Sequence, residues 1–100
     1  MEPREFFDTL ESRVDPAKTA GMNNSYVFDI EDAGIWQVDV TDGGVKVTEG
    51  GTEGDVTIHA SSETFSAIAS GEQNPTSAYM TGKLKVDGDM GAAMKLQKLF

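Results

Sequence analysis

Residues Tyr79 to Phe100, YMTGKLKVDGDMGAAMKLQKLF, carry the pattern that predicts most about how this chain folds. Apolar Leu84 and Val86 alternate with charged neighbours, which is typical of a strand with one covered face and one wet face. Gly82 and Gly88 flank that strand, and glycine accepts the positive φ angles that tight turns require. The stretch therefore begins with a turn, a short strand and a second turn.

The rest of this stretch predicts a helix from Met90 to Phe100, with Asp89 as its N-cap. Small residues at positions 91 to 93 lie between methionines at 90 and 94, and apolar residues end the chain. Such a helix has little volume where it meets a sheet, and methionine adapts to irregular neighbours. We therefore expect a lid over an apolar sheet face, with room beneath it for something that is not protein.

The chain has 100 residues, which predicts a single domain over residues 1–100. Its 17 acidic and 8 basic residues give a formal net charge of −9. Such a surface repels phosphate backbones and anionic lipids, so we expect neither nucleic-acid binding nor stable membrane association. A solubility surface is the simplest explanation of the charge, and adaptation to high salt is left open.

The sequence also bears on the compartment. No apolar run is long enough for a membrane span, and the N-terminal residues lack the pattern of a signal peptide. The absence of cysteine excludes disulfides and thiol catalysis. We therefore expect a cytoplasmic protein.

Apolar residues at helical spacing predict a first helix from Glu5 to Val14. Pro3 suits the start of that helix, and Pro16 suits its end. The segment Asp15 to Asn24 is rich in turn-forming residues and predicts a short helical turn and a loop. The side chains expected to face the core are Phe6, Phe7, Leu10 and Val14.

Four further segments alternate apolar and polar residues with period two. One covered face and one wet face favour antiparallel pairing, and short turns at 31–34 and 42–44 predict hairpins. The longer connection Glu49 to Asp55 is able to carry the chain across the sheet. With the strand at Leu84 and Val86, we expect five strands. The other inward residues are Tyr26, Phe28, Ile30, Trp36, Val38, Val40, Val45, Val47, Val56, Ile58 and Ala60.

Two short helices are expected between the fourth and fifth strands. Ser61 or Ser62 is expected to cap the first helix, Gly71 to close it, and Asn74 with Pro75 to start the second. The inward residues of the first are Phe65, Ile68 and Ala69, and the second carries Ala78, Tyr79 and Met80.

The sequence contains no recognisable catalytic or metal-binding constellation. The single histidine, His59, falls on the solvent face of its strand. Glu49, Glu53 and Asp55 lack the spacing of a calcium loop, and the glycine groups lack the lysine and spacing of a phosphate loop. We therefore expect no enzyme activity, no metal and no cofactor.

The inward-facing residues are rich in aromatic rings and methionine, and two interpretations of them are open. A filled core is the simpler one. Alternatively, the small residues of the terminal helix leave a cavity. Because an empty apolar void is destabilising, such a cavity would favour a bound lipid whose tail restores the missing contacts.

The order and spacing of three segments resemble the sterol carrier protein 2 (SCP2) domain family. They are YVFDIEDAGIWQVDVTDGGVKVTEG (Tyr26–Gly50), DVTIHASSETFSAIASGE (Asp55–Glu72) and NPTSAYMTGKLKVDGDMGAAMKLQKLF (Asn74–Phe100). An aromatic strand leads to a Gly-x-Trp turn and strand, a strand ending in serine enters a helix, and Met-x-Gly-Lys-Leu-Lys-Val-x-Gly-Asp follows. The resemblance extends from about Phe6 to Phe100.

This resemblance implies an α+β fold with helices over one face of a five-stranded, mainly antiparallel sheet and an apolar tunnel between them. Members of the family bind sterols, fatty acids, fatty acyl-CoA or other lipids such as isoprenoids, without chemistry on them. Gln97 is a candidate partner for a polar headgroup. Carried over by position, the lining is Phe7, Leu10, Trp36, Phe65, Ile68, Met80, Leu84, Met90, Met94, Leu99 and Phe100.

The function that the resemblance implies is non-enzymatic binding and intracellular transfer of a lipid ligand by a monomer or weak dimer. The alternative is an accessory module of the same fold, with a filled core and a protein partner docked on its apolar C-terminal end. The C-terminal residues do not match the peroxisomal signal Ser-Lys-Leu, so we expect a free-standing domain of prokaryotic type.

Overall fold

Period-two alternation builds one sheet of five strands in the computed structural model, which describes residues 3–13, 16–42, 44–89, 91–92 and 95. The strands are β1 (Asn24–Glu31), β2 (Gly34–Thr41), β3 (Gly44–Glu49), β4 (Val56–Ser61) and β5 (Leu84–Gly88). The helices are α1 (Pro3–Arg13), α2 (Pro16–Thr19), α3 (Ser62–Ala69) and α4 (Pro75–Met80).

The strands lie in the order β3-β2-β1-β4-β5. The pairs β1–β2, β2–β3 and β4–β5 are antiparallel, as hairpins and alternating strands favour. The central pair β1–β4 is parallel, with Tyr26 opposite Val56 and Phe28 opposite Ile58. The prediction of an α+β fold on a five-stranded, mainly antiparallel sheet is confirmed.

Residues 50–55 cross the outer face of the sheet on the way from β3 to β4, a path that the length of this connection allowed. The Asp55 N–H donates to the Ser25 carbonyl at 2.8 Å, and a Cβ added at Gly54 would lie 3.0 Å from Val27 Cγ2. Strand parity assigns Val27 to the wet face, yet it is only 3% exposed. The crossing connection covers it, which the alternation pattern does not show.

Helix α1 lies over the inner face and packs against β3. It begins at Pro3, two residues before the predicted start, because proline is well suited to the first turn of a helix. Phe6, Phe7 and Leu10 are buried as predicted, whereas Val14 lies outside the described residues. No helix in the described ranges has the length and hydropathy that crossing a bilayer requires.

Side-chain caps begin both helices that precede β5. Ser61 Oγ accepts a hydrogen bond from the Thr64 N–H at 3.1 Å and caps α3. Asn74 Oδ1 accepts from the Thr76 N–H at 2.8 Å and caps α4, with Pro75 in its first turn. Both predicted starts are confirmed, and these helices pack against β4 and β5 respectively.

Gly82, two residues before β5, and Gly88, the last residue of β5, have the positive φ angles that the sequence predicted, 80° and 118°. Their surroundings differ. A Cβ added at Gly82 would meet nothing within 4 Å, whereas one at Gly88 would overlap the Asp55 carbonyl oxygen and lie 3.0 Å from Val56 Cα. Gly88 therefore permits both the turn and the close approach of β5 to the start of β4.

We expect Gly88→Ala to lower the free energy of unfolding by about 3 kcal/mol, because it adds a backbone clash to the strain of positive φ. Gly82→Ala is the matched control, with the strain alone, and should lower it by about 1 kcal/mol. Urea unfolding followed by Trp36 fluorescence measures both. Equal losses in the two variants would show that the approach at Gly88 is not tight.

Candidate functional site

The covered face of the sheet has two unlike halves, and aromatic rings fill the half under α1. The Phe7 ring stacks on Trp36 with 4.7 Å between centroids and on Phe65 with 5.2 Å. Phe6 meets Phe7 edge-on at 5.2 Å, and Phe28 is tilted against Phe7 at the same distance. Contacts of this kind are favourable beyond the area they bury. This half of the face is therefore a packed core.

Arg4 lies at the edge of the aromatic cluster. Its guanidinium carbon lies 5.9 Å from the Trp36 ring centroid, and its Nη2 lies 2.8 Å from Glu49 Oε2. The hydrogen bond to Glu49 raises the pKa of Arg4 above its ordinary value. Both charged side chains are more than half exposed, so we assign this pair to the rim and not to a binding site.

The half of the covered face near β4 and β5 is covered differently. Ile58 and Leu84 are buried there and Val86 is partly buried. On this side the buried residues of the described covering segments are Phe65 and Ile68 from α3, which packs against β4, together with Ala78 from α4 and Ala92. Alanine reaches no further than its Cβ, so the described cover is smallest beside β5, where α4 packs.

Tyr26 anchors the start of the C-terminal segment on this half of the face. Its phenolic O–H donates to the Ala92 carbonyl at 2.6 Å. Asp89 Oδ1 accepts from the Gly91 N–H at 2.8 Å and from the Ala92 N–H at 3.3 Å. These are the hydrogen bonds expected of a cap at Asp89, and they position Ala92 over the sheet, whereas most of the predicted helix from Met90 to Phe100 lies outside the described residues.

The environment of the Tyr26 hydroxyl raises its pKa to about 12. Burial is the main cause, because desolvation penalises the phenolate, and the negative charges of Asp55 and Asp89 add to it. The hydroxyl is therefore neutral at physiological pH and remains a hydrogen-bond donor.

The structure brings together six of the predicted lining residues and separates one. Met80 was expected to point inward, but its side chain is 78% exposed. The reason is helix geometry: Ala78 is the buried residue of α4, and a residue two positions later lies about 200° further round the helix. Met90, Met94, Gln97, Leu99 and Phe100 lie outside the described residues. The six in the buried cluster are Phe7, Leu10, Trp36, Phe65, Ile68 and Leu84.

Sequence reasoning missed the contribution of Tyr26 and the two alanines to this site. Tyr26 was recognised as an inward residue, and a buried tyrosine needs a partner for its hydroxyl. That rule indicates a hydrogen bond but cannot name Ala92, which lies 66 positions away. Ala78 was placed in a helical turn, with no signal for the direction it faces.

The grooves at the surface of the described part include two that bear on the site. One, of about 380 Å³, runs along the end of α3 and the start of α4, from Ile68 to Pro75. Because Ile68 belongs to the buried cluster, this groove borders the covered face. The other, of about 480 Å³, lies on the outer face around His59.

His59 lies on the outer face, as predicted, and is held by carboxylates. Its Nδ1 lies 3.3 Å from Asp29 Oδ2 and its Nε2 lies 3.1 Å from Asp87 Oδ2. The described ranges contain no group of three or more acidic, histidine or cysteine residues that is able to hold a metal ion. The sheet separates His59 from the apolar face.

We expect Tyr26→Phe to lower the free energy of unfolding by about 1–2 kcal/mol at pH 7, because the buried Ala92 carbonyl loses its donor. The difference should shrink in alkali. Tyrosine in the unfolded chain titrates near pH 10 and Tyr26 in the folded chain near 12, so the folded state binds more protons between these values. The stability that neutral Tyr26 provides is thus complete below pH 10, and about 2 kcal/mol of it is lost by pH 12.

Urea unfolding of both proteins from pH 8 to pH 12 tests this prediction. Tyr79→Phe is the control, because it removes the hydroxyl of a tyrosine that is 42% exposed. A wild-type alkaline loss that persists in Tyr26→Phe would contradict the assignment to Tyr26.

Comparison with known proteins identifies relatives that share this sequence pattern and this fold. Hydroxysteroid dehydrogenase-like protein 2 of Xenopus tropicalis is 38% identical over 100 residues, which span 96% of this chain and 24% of that protein. The chain therefore spans about a quarter of the length of that relative. The structure of the sec-alkylsulfatase Pisa1 from Pseudomonas sp. matches with a TM-score of 0.84 and 25% identity, over all of this chain and 16% of that one.

A structure of similar length also matches. The sterol carrier protein domain 2 of Helicoverpa armigera is 32% identical with a TM-score of 0.77, over 95% of this chain and 82% of that one. The model of the SCP-2 sterol transfer family matches residues 6–100, which include every strand and every helix described above except the first three residues of α1. The chain belongs to the SCP-2 sterol transfer family.

Proposed function

We propose that this chain binds a lipid between the covered face of its sheet and the segments that lie over β4 and β5, and carries it between membranes without chemical change. Membership of the SCP-2 sterol transfer family supports lipid binding in general. The proposal adds where the lipid lies and that the apolar residues of the covered face contact it directly.

The unequal cover of the two halves of the sheet is the observation that carries the proposal. Phe6, Phe7 and Leu10 pack over one half, whereas α4, which packs against β5, contributes the small Ala78 as its buried residue. Beside Ala78 and Ala92, Leu84 and Val86 present an apolar surface on which an acyl chain or sterol ring would make favourable contacts.

The groove beside Ile68 is the proposed entrance. It opens between α3 and α4, and Ile68 joins it to the buried cluster. A lipid tail that entered here would pass over Leu84 and Val86 towards Tyr26. Gln97 stays a prediction for the headgroup, because it lies outside the described residues.

The proposed role is non-catalytic. His59 lies on the opposite face of the sheet from the apolar residues, and both its ring nitrogens face carboxylates. The Tyr26 hydroxyl donates a hydrogen bond to the Ala92 carbonyl, and its raised pKa keeps it neutral. Neither group is free to act on a ligand held over β4 and β5. The enzymatic names of longer relatives belong to proteins of which this chain matches only a part.

A titration with a fluorescent fatty acid tests lipid binding directly. Trp36 is the only tryptophan in the chain, and energy transfer from it to cis-parinaric acid, a fluorescent C18 polyene acid, should rise and saturate. Dehydroergosterol serves as the sterol probe. Native mass spectrometry after mild purification should also find a lipid bound to the protein.

We expect Val86→Phe to weaken parinaric acid binding about tenfold, because the larger side chain fills the proposed ligand space while costing little stability. Val47→Phe is the matched control, since it enlarges a partly buried valine on β3, at the opposite edge of the sheet. It should leave the affinity unchanged. In a closed core, each substitution would instead cost ~1–3 kcal/mol of stability by overpacking.

Flat titrations with both probes would contradict lipid binding. Recovery of a stoichiometric protein partner with no bound lipid would favour the accessory module. Equal loss of affinity in Val86→Phe and Val47→Phe would leave lipid binding intact but contradict the proposed position.

A further inference from the structure

Strand β5 lies at an edge of the sheet, and some of its backbone groups face outward. An antiparallel strand bonds its neighbour through every second residue. The Asp89 N–H donates to the Asp55 carbonyl at 3.2 Å, in the same register as the β4–β5 pairs. The odd-numbered residues of β5 therefore bond to β4. The even-numbered residues direct their N–H and C=O groups towards the free edge, and they are Leu84, Val86 and Gly88.

The two edges of the sheet are protected differently. At the β3 edge, the Val47 N–H donates to Glu11 Oε2 at 2.9 Å, so a side chain of α1 covers a backbone group of that edge. In the described part of the chain, no hydrogen bond joins the outward groups of β5 to a residue outside β4. An edge strand with unpaired backbone groups is a template for a further strand. The β5 edge is therefore where this sheet is able to extend.

The charges along β5 are ordered about Val86. Lys83 and Lys85 precede it, and Asp87 and Asp89 follow it. The apolar residues of β5 face the covered side, so Lys85 and Asp87 share the outer face, where both are exposed. The edge therefore carries positive charge at one end and negative charge at the other.

We propose that two copies of this chain form a dimer through antiparallel pairing of their β5 edges, with Val86 on the two-fold axis. In this register Val86 exchanges both backbone hydrogen bonds with the partner's Val86. Leu84 does the same with the partner's Gly88. Lys85 then lies opposite the partner's Asp87, in a pair without backbone bonds, where facing side chains approach most closely.

The charges select this register over its neighbours. A shift of two residues places either Lys85 opposite the partner's Lys85 or Asp87 opposite the partner's Asp87, depending on its direction. Like charges directly opposite each other destabilise a pair of strands. A shift of one residue would move the apolar side chains to the outer face. Centring on Val86 avoids both, and it also brings Lys83 opposite the partner's Asp89.

A second copy suits this edge better than a partner of one charge sign. Asp29 and Glu31 line the outer groove together with Lys83 and Lys85, so the surface beside β5 is mixed in charge. A two-fold axis requires a surface that is complementary to itself, and the order of charges about Val86 meets that requirement. Pairing uses both β5 edges, and α1 covers part of the β3 edge, so assembly ends at two copies.

The dimer is weak because the shared edge is short. Strand β5 has five residues, whereas stable interfaces bury roughly 800 Å² per partner. Tyr79 and Met80 add apolar area to the interface, since they are exposed at the end of α4, which packs against β5. The dimer should therefore form at high protein concentration and dissociate on dilution.

Sedimentation velocity of the full chain tests the dimer. Between about 10 μM and about 1 mM, the weight-average mass should rise from that of one chain towards that of two. Lys85→Asp and Asp87→Lys should each raise the dissociation constant about tenfold, because each places like charges opposite each other. An equimolar mixture of these two variants should restore association, since opposite charges then face each other again. Lys46→Asp is the matched control, because Lys46 is an exposed lysine on β3, and it should leave the constant unchanged.

Amide hydrogen exchange measured by NMR tests the edge without any substitution. The amides of Leu84, Val86 and Gly88 should exchange severalfold more slowly in the concentrated sample than in the dilute one. The amides of Lys85 and Asp87 face β4 in the single chain as well, so their exchange should not change with concentration.

A single chain at every concentration would overturn the proposal. A dimer with the same dissociation constant in Lys85→Asp as in Lys46→Asp, or with no slowing at Val86, would place the interface elsewhere and also overturn it. Each variant is also titrated with cis-parinaric acid, and the affinity should stay at the wild-type value, because Lys85 and Asp87 lie on the outer face with His59. Saturable parinaric acid binding by a chain that never dimerises would overturn this inference alone and leave the proposed function standing.

Discussion

The parallel pairing of β1 with β4 is the constraint on which both faces of the sheet depend. Tyr26 opposite Val56 places β4 beside β1 and pointing the same way, so the chain cannot reach β4 from β3 by a hairpin. The chain crosses the outer face instead, and residues 50–55 cover Val27 there. With that crossing on one face, α1, α3 and α4 all gather on the other.

This arrangement produces one continuous apolar face with two kinds of cover. Under α1, the stacked rings of Phe7, Trp36 and Phe65 meet at 4.7–5.2 Å and stabilise the fold. Beside β5 the buried residues of the described cover are Ala78 and Ala92, and polar contacts from Tyr26 and Asp89 hold Ala92 in place. Ring packing thus stabilises one half of the face, whereas hydrogen bonds position the described cover of the other half.

Much of this fold was predictable from sequence, because local rules govern it. Period two identified all five strands, caps at Ser61 and Asn74 fixed two helix starts, and Gly88 marked a turn with positive φ. The parallel partner of β1 was not predictable, since register between distant strands depends on the whole sheet. The length of the 49–55 connection indicated only that a crossing was possible.

The candidate site was predictable in part for the same reason. Phe7, Trp36 and Phe65 were identified because buried aromatic residues follow the period of their element. Met80 was placed inward wrongly, because a six-residue helix is too short for its apolar residues to define a face. The bond from Tyr26 to Ala92 joins residues that no local pattern connects.

The error at Met80 shows how far a local pattern reaches. Met80 and Tyr79 are apolar by composition, yet both are exposed, because Ala78 takes the buried position of α4. In a helix of six residues the buried position is decided by packing against β5, and the composition of the helix does not show that packing.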